Sequence, residues 1–275
     1  MRTVKILALA LCGLAATMAG ATAAQDVDAL YRATAIVTGT GEANRLIGFR
    51  LAMEDVIVRV SGDYRLIISG KAASTVAGAA NLVTKFHYRD RLEGIPIHDE
   101  QGTHDRPHDL TVDFDHVGLD AALAAMDSRP WLSPRPRLVI FLGVRNATGA
   151  FVLSADGEQG FYMRDSFTAA SDRFAMPIAL PTLAVIQRAD LKSEAIGSAE
   201  PAALDALAKQ NGGDQALTGT LVWSDEALGW IADWRLTFAG QSYAWRVSGV
   251  SFDDAFRNAL RGAAQVLSGN GQPES

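Results

Sequence analysis

The sequence predicts an α+β fold composed of two packed α/β-sandwich-like halves. Three observations point to this class. Strand-like alternation and helix-like periodicity are interleaved along the chain, the run at residues 138–144 is apolar without interruption, and the last third has the pattern of a three-stranded antiparallel meander with a closing helix. The 275 residues are 48% hydrophobic and 20% charged, which is typical of a globular protein and disfavours disorder.

The first half, residues 25–130, is predicted to begin with a strand and a long amphipathic helix. Residues 31–37 alternate in hydrophobicity and are rich in small and β-branched side chains, as strands are. Over residues 42–60, apolar side chains recur at steps of three and four, which predicts a helix with one buried face. The members of that face are Leu46, Phe49, Met53, Val56 and Val60. Gly62 is expected to end the helix in a left-handed conformation.

Further elements complete the first half. They are an Ala-rich helix over 72–85, a strand over 86–91, a polar loop over 93–109 and a strand over 110–114. Asp115 is expected to cap a final helix over 116–126, because its carboxylate can accept a hydrogen bond from the first turn.

The second half, residues 131–269, follows a Pro-rich stretch at 129–136. Proline restricts its own backbone and that of the preceding residue, so this stretch is predicted to be extended and to mark the boundary between the halves. The apolar run at 138–144 is too short to cross a membrane as a helix and fits a central strand covered on both faces. The elements expected next are a helix over 164–174, a strand over 176–180 and a helix over 202–210 that follows Pro201.

The C-terminal meander gives the clearest pattern in the chain. Its strands are predicted at 215–223, 230–238 and 242–248, with a tight turn between the second and third. Ser251 and Asp254 resemble a capping box for a helix over 252–267. Residues 270–275 are predicted to form a disordered tail.

Residues 1–24 have the three-part pattern of a secretory signal peptide. Arg2 and Lys5 form a basic region, residues 6–18 are apolar, and small residues follow as a cleavage site. Cleavage gives a periplasmic chain with no membrane span. An uncleaved anchor is the alternative, because residues 6–24 nearly reach the length that spans a bilayer.

Removal of this segment changes the chemistry that remains available. Cys12 is the single cysteine and leaves with the signal, so neither a disulfide nor thiolate catalysis is expected. The net charge falls from −6 to −8. That charge argues against a nucleic-acid partner, since phosphate contacts need clustered Lys and Arg.

The five histidines all lie between His87 and His116. His98, His104 and His108 are each followed by an acidic residue, and imidazole with carboxylate is a donor set that suits Zn²⁺. These three residues are therefore the candidate metal ligands. Their spacing matches no zinc signature, and the alternative is a solvated polar loop that does not preorganise ligands.

No sequence motif identifies a catalytic residue or a cofactor. Gly39 and Gly41 open a helix after a strand and half-match a dinucleotide-binding turn, but no room follows for the second strand of a βαβ unit. Asp225 and Glu226 are expected to belong to a solvated hairpin loop. The five tryptophans, all in the second half, alternate on strands, which favours core packing over a carbohydrate-binding platform. The tryptophans are Trp131, Trp223, Trp230, Trp234 and Trp245.

Four segments together resemble a known family. They are residues 46–62 with the ending Val-Arg-Val-Ser-Gly, residues 106–115, residues 130–142, and residues 216–220 leading to Trp230 and Trp245. This order resembles the bacterial domain-of-unknown-function family numbered 2066 over about residues 29–267. The resemblance implies an exported protein of Gram-negative bacteria with no assigned activity.

The second half is also similar, at the level of fold, to small periplasmic domains. The order of helix, residues 214–220, meander and closing helix looks like that of peptidoglycan-synthase activator lipoproteins and of the amino-terminal domain of the Tol-system propeller protein. Those domains bind other proteins, so the similarity implies a protein-binding role.

Three functional hypotheses remain. The first is a non-enzymatic interaction or scaffold module of the periplasm, with an envelope protein as its partner and an exposed sheet face or edge of the second half as its contact surface. The second is a metal-dependent enzyme that uses His98, His104 and His108. The third is a binder of glycan or small ligand that uses an exposed tryptophan.

Overall fold

The computed structural model describes residues 26–95 and 105–274, and the predicted signal peptide lies outside them. The described residues form a mixed α/β fold with a three-stranded antiparallel sheet, a larger mixed sheet and a C-terminal helix. The predicted α+β class is confirmed.

The first sheet is antiparallel with the strand order β1-β3-β2. The elements of this region are α1 (Val27–Leu30), β1 (Arg32–Thr38), α2 (Glu42–Ser61), α3 (Arg65–Ile68), α4 (Ala73–Ala77), a 3₁₀ turn (Ala79–Leu82), β2 (Val83–Asp90), β3 (Pro107–Phe114) and α5 (His116–Ala125). Helix α2 packs on one face of this sheet, and the opposite face is exposed and, apart from Ile36 on β1, mainly polar.

Helix α2 has the buried face that its periodicity predicts. Phe49, Met53, Val56 and Val60 are buried, whereas Leu46 lies at the solvent-exposed margin of the face. The helix ends at Gly62, whose φ of 70° is left-handed and whose N–H donates to the Val58 carbonyl over 2.8 Å.

Two secondary-structure predictions for this region are wrong. The helix expected over 72–85 is only α4 and one 3₁₀ turn, because β2 begins at Val83 and pairs with β3. The loop expected over 93–109 is too long, because β3 begins at Pro107, where it pairs with Thr38 of β1. In both places strand pairing, which depends on distant residues, prevails over local propensity.

The second sheet has the order β5-β4-β7-β8-β9, with β6 beside the start of β4. Its region contains β4 (Leu138–Asn146), β5 (Gly149–Val152), α6 (Phe161–Phe174), β6 (Ile178–Ala179), α7 (Leu183–Arg188), α8 (Ser193–Ile196), α9 (Pro201–Gln210), β7 (Gln215–Ser224), β8 (Gly229–Phe238), β9 (Gln241–Val250) and α10 (Phe252–Leu267). Strands β4 and β7 are parallel, and β7, β8 and β9 form the predicted antiparallel meander.

Strand β4 is covered on both faces, as its continuous apolar sequence predicts. Ile140 and Leu142 face the core beneath α6 and α10, while Val139 and Phe141 face a second cluster beneath α8 and α9. Trp234 fills the first of these cores and lies edge-on to Phe167, whose ring centroid is 6.2 Å away.

The C-terminal helix α10 closes this core. Ser251 Oγ accepts a hydrogen bond from the Asp254 N–H over 3.1 Å, which is half of the predicted capping box. After the helix, Asn270 Nδ2 donates to the Ser61 carbonyl over 3.0 Å and Gln272 Nε2 donates to the Ala244 carbonyl over 2.6 Å. These residues were expected in the disordered tail, and the two bonds hold them against α2 and β9.

The Pro-rich stretch lies between the two sheets. The Trp131 N–H donates to the Val60 carbonyl over 2.7 Å, and the Arg135 guanidinium lies 4.3 Å from the centre of the Trp131 ring. Arg135 also donates to the Phe174 carbonyl over 2.6 Å. The stretch is extended, as proline dictates, and its contacts join α2 to α6. None of the helices in the described ranges is long and apolar enough to cross a bilayer.

Candidate functional site

The predicted histidine site is only partly within the described residues. His98 and His104 lie outside them. His108 belongs to strand β3 rather than to the predicted loop, and its Nδ1 is 2.8 Å from the Arg106 carbonyl oxygen. Within residues 26–95 and 105–274, His, Cys, Asp and Glu form no group of three that could hold a metal ion. The metal hypothesis stays a prediction for the three histidines.

Three of the tryptophans are core residues, as their alternation predicts. Trp230, Trp234 and Trp245 are buried. Trp223 is 41% exposed, packs edge-on against Trp230, and donates its indole N–H to Asp225 Oδ1 over 2.8 Å. Trp223 is thus the exposed tryptophan on which the glycan or small-ligand hypothesis would depend, and that hypothesis stays a prediction.

The glycine turn before α2 does not belong to a dinucleotide-binding unit. Strand β1 pairs only with β3 among the described strands, and it does so antiparallel. A βαβ unit requires a parallel crossover, so the half-match around Gly39 and Gly41 reflects a tight turn into a helix.

The candidate functional site is a groove beside the free edge of β1, which we call the β1 groove. Its volume is about 670 Å³. The lining residues are Ala29 and residues 32–36 along β1, Leu51, Asp55 and Arg59 on α2, and Ala169, Asp172 and Arg173 on α6. The three α2 residues are spaced four apart, so they form one stripe along the helix that faces the strand edge.

The backbone of β1 has one bonded side and one open side. At the two ends of the ladder, the Phe114 N–H donates to the Tyr31 carbonyl over 3.0 Å and the Gly39 N–H donates to the Arg106 carbonyl over 2.7 Å. Because bonded and non-bonded positions alternate in an antiparallel pair, every odd-numbered residue of β1 bonds to β3. The N–H and C=O groups of the even-numbered residues therefore point to the open side.

Two side chains occupy the ends of this open side. Arg59 Nη1 donates to the Arg32 carbonyl, and Asn44 Nδ2 donates to the Thr38 carbonyl over 2.5 Å. Between these ends, no donor or acceptor within the described ranges pairs with the outward backbone groups of Thr34 and Ile36. Two N–H and two C=O groups are thus left for a strand that enters the groove.

Arg59 closes the groove at its Arg32 end. Besides the Arg32 carbonyl, its guanidinium donates to the carbonyls of Ala29, Asp172 and Arg173, over 3.0, 3.1 and 2.6 Å respectively. The same side chain therefore connects α1, β1 and the end of α6. Burial lowers the pKa of Arg59, because the charged form loses hydration that these carbonyls only partly replace.

An ion pair separates the β1 groove from a smaller pocket behind it. Arg173 donates to Asp55 Oδ1 through Nε and Nη2, over 2.9 and 2.6 Å. Burial raises the pKa of the Asp55 carboxyl, and the attraction of Arg173 opposes this shift. Asp55 and Arg173 line both cavities, so the pair forms a shared wall.

Strand β9 is one edge of the second sheet, in the half where an exposed sheet face or edge is the expected contact surface. Ser242, Ala244 and Arg246 are exposed along it. The Ala244 carbonyl faces outward and is already taken by Gln272, and the strand is irregular opposite Trp230. A smaller cavity of about 80 Å³ lies against Ser242, Tyr243 and Ala244 of this edge. The groove beside β1 is larger and follows five consecutive strand residues, so β1 offers the better-formed site. The sequence pattern does not identify β1 as an edge, because it places residues 107–109 of the partner strand in a loop and does not reveal the strand order β1-β3-β2.

Comparison with known protein families places the first half of the chain near an uncharacterised domain. Residues 24–132 match the model of a domain of unknown function (DUF8605). The resemblance to the family numbered 2066 was therefore wrong, and the similarity to peptidoglycan-synthase activators and to the Tol propeller protein has no support. No curated protein and no solved structure matches the chain significantly. The part of the chain that carries β1 and α2 is thus similar to a domain family without an assigned activity.

Proposed function

We propose that this chain is a non-enzymatic protein-interaction module that binds an extended segment of a partner protein as an added strand on β1. The proposal depends on one observation. Thr34 and Ile36 each direct a backbone N–H and a backbone C=O group into the β1 groove without a partner among the described residues. In strand addition the main chain supplies hydrogen bonds whatever the sequence, and flanking side chains supply specificity.

The shape of the groove favours a single extended segment. It follows five consecutive residues of β1, which corresponds to roughly 15 Å of strand. Helices α2 and α6 form its other walls. A single extended peptide can fit between these helices and β1, whereas a whole second sheet would collide with them.

The walls define the chemistry of the partner segment. Leu51 is 45% exposed and lies on the α2 wall, and Ala169 lies on the α6 wall. Alternate side chains of a bound strand point to opposite faces, so those directed at these walls are expected to be apolar. Ile36 is 57% exposed on the solvent-facing side of the sheet and offers a second apolar contact. Proline is expected to be absent from the segment, because it cannot donate to the ladder.

The proposed setting is the periplasm, with an envelope protein as the partner. The support for it is the signal-peptide pattern of residues 1–24. Fractionation of cells that produce the C-terminally tagged chain tests this part. A periplasmic form that lacks the first 24 residues is the expected product, and a full-length cytoplasmic form contradicts export.

Peptide binding to two proline variants tests the interaction itself. The probe is a set of short peptides selected from a random phage-displayed library on the wild-type protein. Ile36→Pro removes an outward N–H and places a ring on the β1 edge, and Ser242→Pro does the same on β9. Proline at outward edge positions keeps the ladder bonds, so both variants are expected to fold. We expect at least tenfold weaker binding to Ile36→Pro only. Equal binding to all three proteins contradicts the proposal.

A further inference from the structure

A small pocket lies behind the Asp55–Arg173 ion pair, where α2, α3, α6 and α10 meet. Its volume is about 130 Å³, which corresponds to the space of about four water molecules. Three guanidinium groups line it, from Arg173, Arg257 and Arg261. We call this cavity the arginine pocket.

The three arginines differ in how they are neutralised. Arg173 is paired with Asp55, and Arg257 is paired with Asp254, which lies three residues earlier on α10. No carboxylate in the described parts of the chain lies within ion-pair distance of Arg261. Its guanidinium instead lies over the Tyr64 ring, 3.8 Å from the ring centre.

Arg261 also has a buried donor without an acceptor. Its Nε is inaccessible to solvent and has no hydrogen-bond partner within residues 26–95 and 105–274. Leaving a buried donor of a charged group unpaired costs free energy, and proteins usually satisfy such groups. Burial lowers the pKa of Arg261, the attraction and hydrogen bond of Tyr64 oppose this shift, and repulsion from Arg173 and Arg257 adds to it. Arg261 is therefore a largely buried cation on the pocket wall whose hydrogen-bonding capacity is not fully used.

The remaining carboxylate on the wall is Glu54, on α2. It forms no ion pair at 4 Å or less with any described residue, so Glu54 does not neutralise the guanidinium groups of α10. Arginine forks bind the oxygens of phosphate-like anions in pairs, which is the geometry that satisfies several guanidinium N–H groups at once.

We propose that the arginine pocket binds a small oxyanion of the phosphate type, held chiefly by Arg257 and Arg261. The anion would supply acceptors to α10 and offset the repulsion among the three cations. Helices α2 and α3 belong to the region of the first sheet, and α6 and α10 belong to that of the second. A bound anion would therefore also stabilise the contact between the two regions. This site is separate from the strand-addition surface and neither proposal depends on the other.

Titration of the full mature chain with inorganic phosphate at constant ionic strength tests the proposal. The measurements are calorimetric affinity and the rise in Tm, with sulfate and acetate as the comparison anions. Arg261→Met keeps the aliphatic stem over Tyr64 and removes the charge, and Arg257→Gln removes the second fork. Arg246→Gln is the matched control, because Arg246 pairs with Asp233 on the outer sheet face, far from α10.

The expected result is saturable phosphate binding that weakens at least tenfold in Arg261→Met and in Arg257→Gln and is unchanged in Arg246→Gln. Sulfate is expected to compete and acetate to compete poorly, since it presents fewer oxygens. If Arg261→Met fails to fold, Arg257→Gln alone decides, because its side chain is 35% exposed and its loss leaves the core intact. Absence of binding to the wild type, or equal binding to all variants, overturns the proposal.

Discussion

Strands β1 and β9 are both open sheet edges, yet they are protected in different ways. Along β9, outward groups face solvent, and the edge is interrupted by the irregularity opposite Trp230, by the charge of Arg246 and by the Gln272 side chain on the Ala244 carbonyl. Such features discourage pairing with any other strand. Along β1, the central residues Thr34 and Ile36 carry no such obstacle, and the protection comes from the surrounding helices instead. The obstacles on β9 discourage every added strand, whereas the groove around β1 admits a single extended segment.

The largest expected effect is the difference in stability between proline variants on the bonded side and on the open side of β1. Ala35→Pro removes an N–H that bonds to β3 and places the ring against that strand, whereas Ile36→Pro changes an outward N–H. We expect Ala35→Pro to lower the free energy of unfolding by about 3 kcal/mol or more, and Ile36→Pro by about 1 kcal/mol. Urea denaturation measures both. Similar losses would show that the two sides of β1 are equivalent.

The second effect concerns the closed end of the groove. Arg59→Met keeps the aliphatic stem but leaves four carbonyls without their donor. We expect a loss of about 2 kcal/mol, since carbonyls at the groove margin regain some hydrogen bonds from water. The control is Arg50→Met on the exposed face of α2, for which little change is expected. A loss no larger than that of the control would mean that Arg59 does not join β1 to α6.

The third effect is the pH dependence of the stability that the Asp55–Arg173 pair contributes. The folded-state pKa of Asp55 is raised, so the folded protein binds a proton more readily than the unfolded chain. Protonation of Asp55 therefore stabilises the folded wild type as the pH falls below neutrality, and Asp55→Asn lacks this contribution. We expect the unfolding free energy of the wild type to rise relative to that of Asp55→Asn over this pH range. Urea denaturation of both proteins at several pH values measures it. A shift in the opposite direction would mean that Arg173 outweighs burial.

The smallest effect concerns the β9 edge. Gln272→Ala exposes the Ala244 carbonyl to water and removes one neutral hydrogen bond. We expect a loss of about 0.5 kcal/mol in thermal unfolding and no change in peptide binding. Peptide binding that depends on Gln272 would move the interaction surface to β9.

Local patterns predicted the elements whose signals are contained in a few neighbouring residues. The Asp115 cap, the Gly62 helix end and the meander around the Ala239–Gly240 turn needed only local rules. The covered strand β4 followed from its uninterrupted apolar run.

The groove could not be predicted because it is assembled from distant parts of the chain. Whether β1 is a central or an edge strand depends on the order β1-β3-β2, and hence on β3, whose first residues were assigned to a loop. The contacts of Arg59 with Asp172 and Arg173 join residues more than one hundred positions apart. The arginine pocket likewise needs residues of α2, α6 and α10 to meet. Neither arrangement has a periodic signature in the sequence.

Amide hydrogen exchange tests the central claim most directly. In the free protein, the amides of Thr34 and Ile36 are expected to exchange much faster than those of Ala33 and Ala35, because only the latter bond to β3. On addition of a peptide selected from the phage library, Thr34 and Ile36 are expected to become protected while the β9 amides stay unchanged. Uniform protection of residues 33–36 in the free protein, or protection of β9 alone on peptide binding, would contradict strand addition at β1.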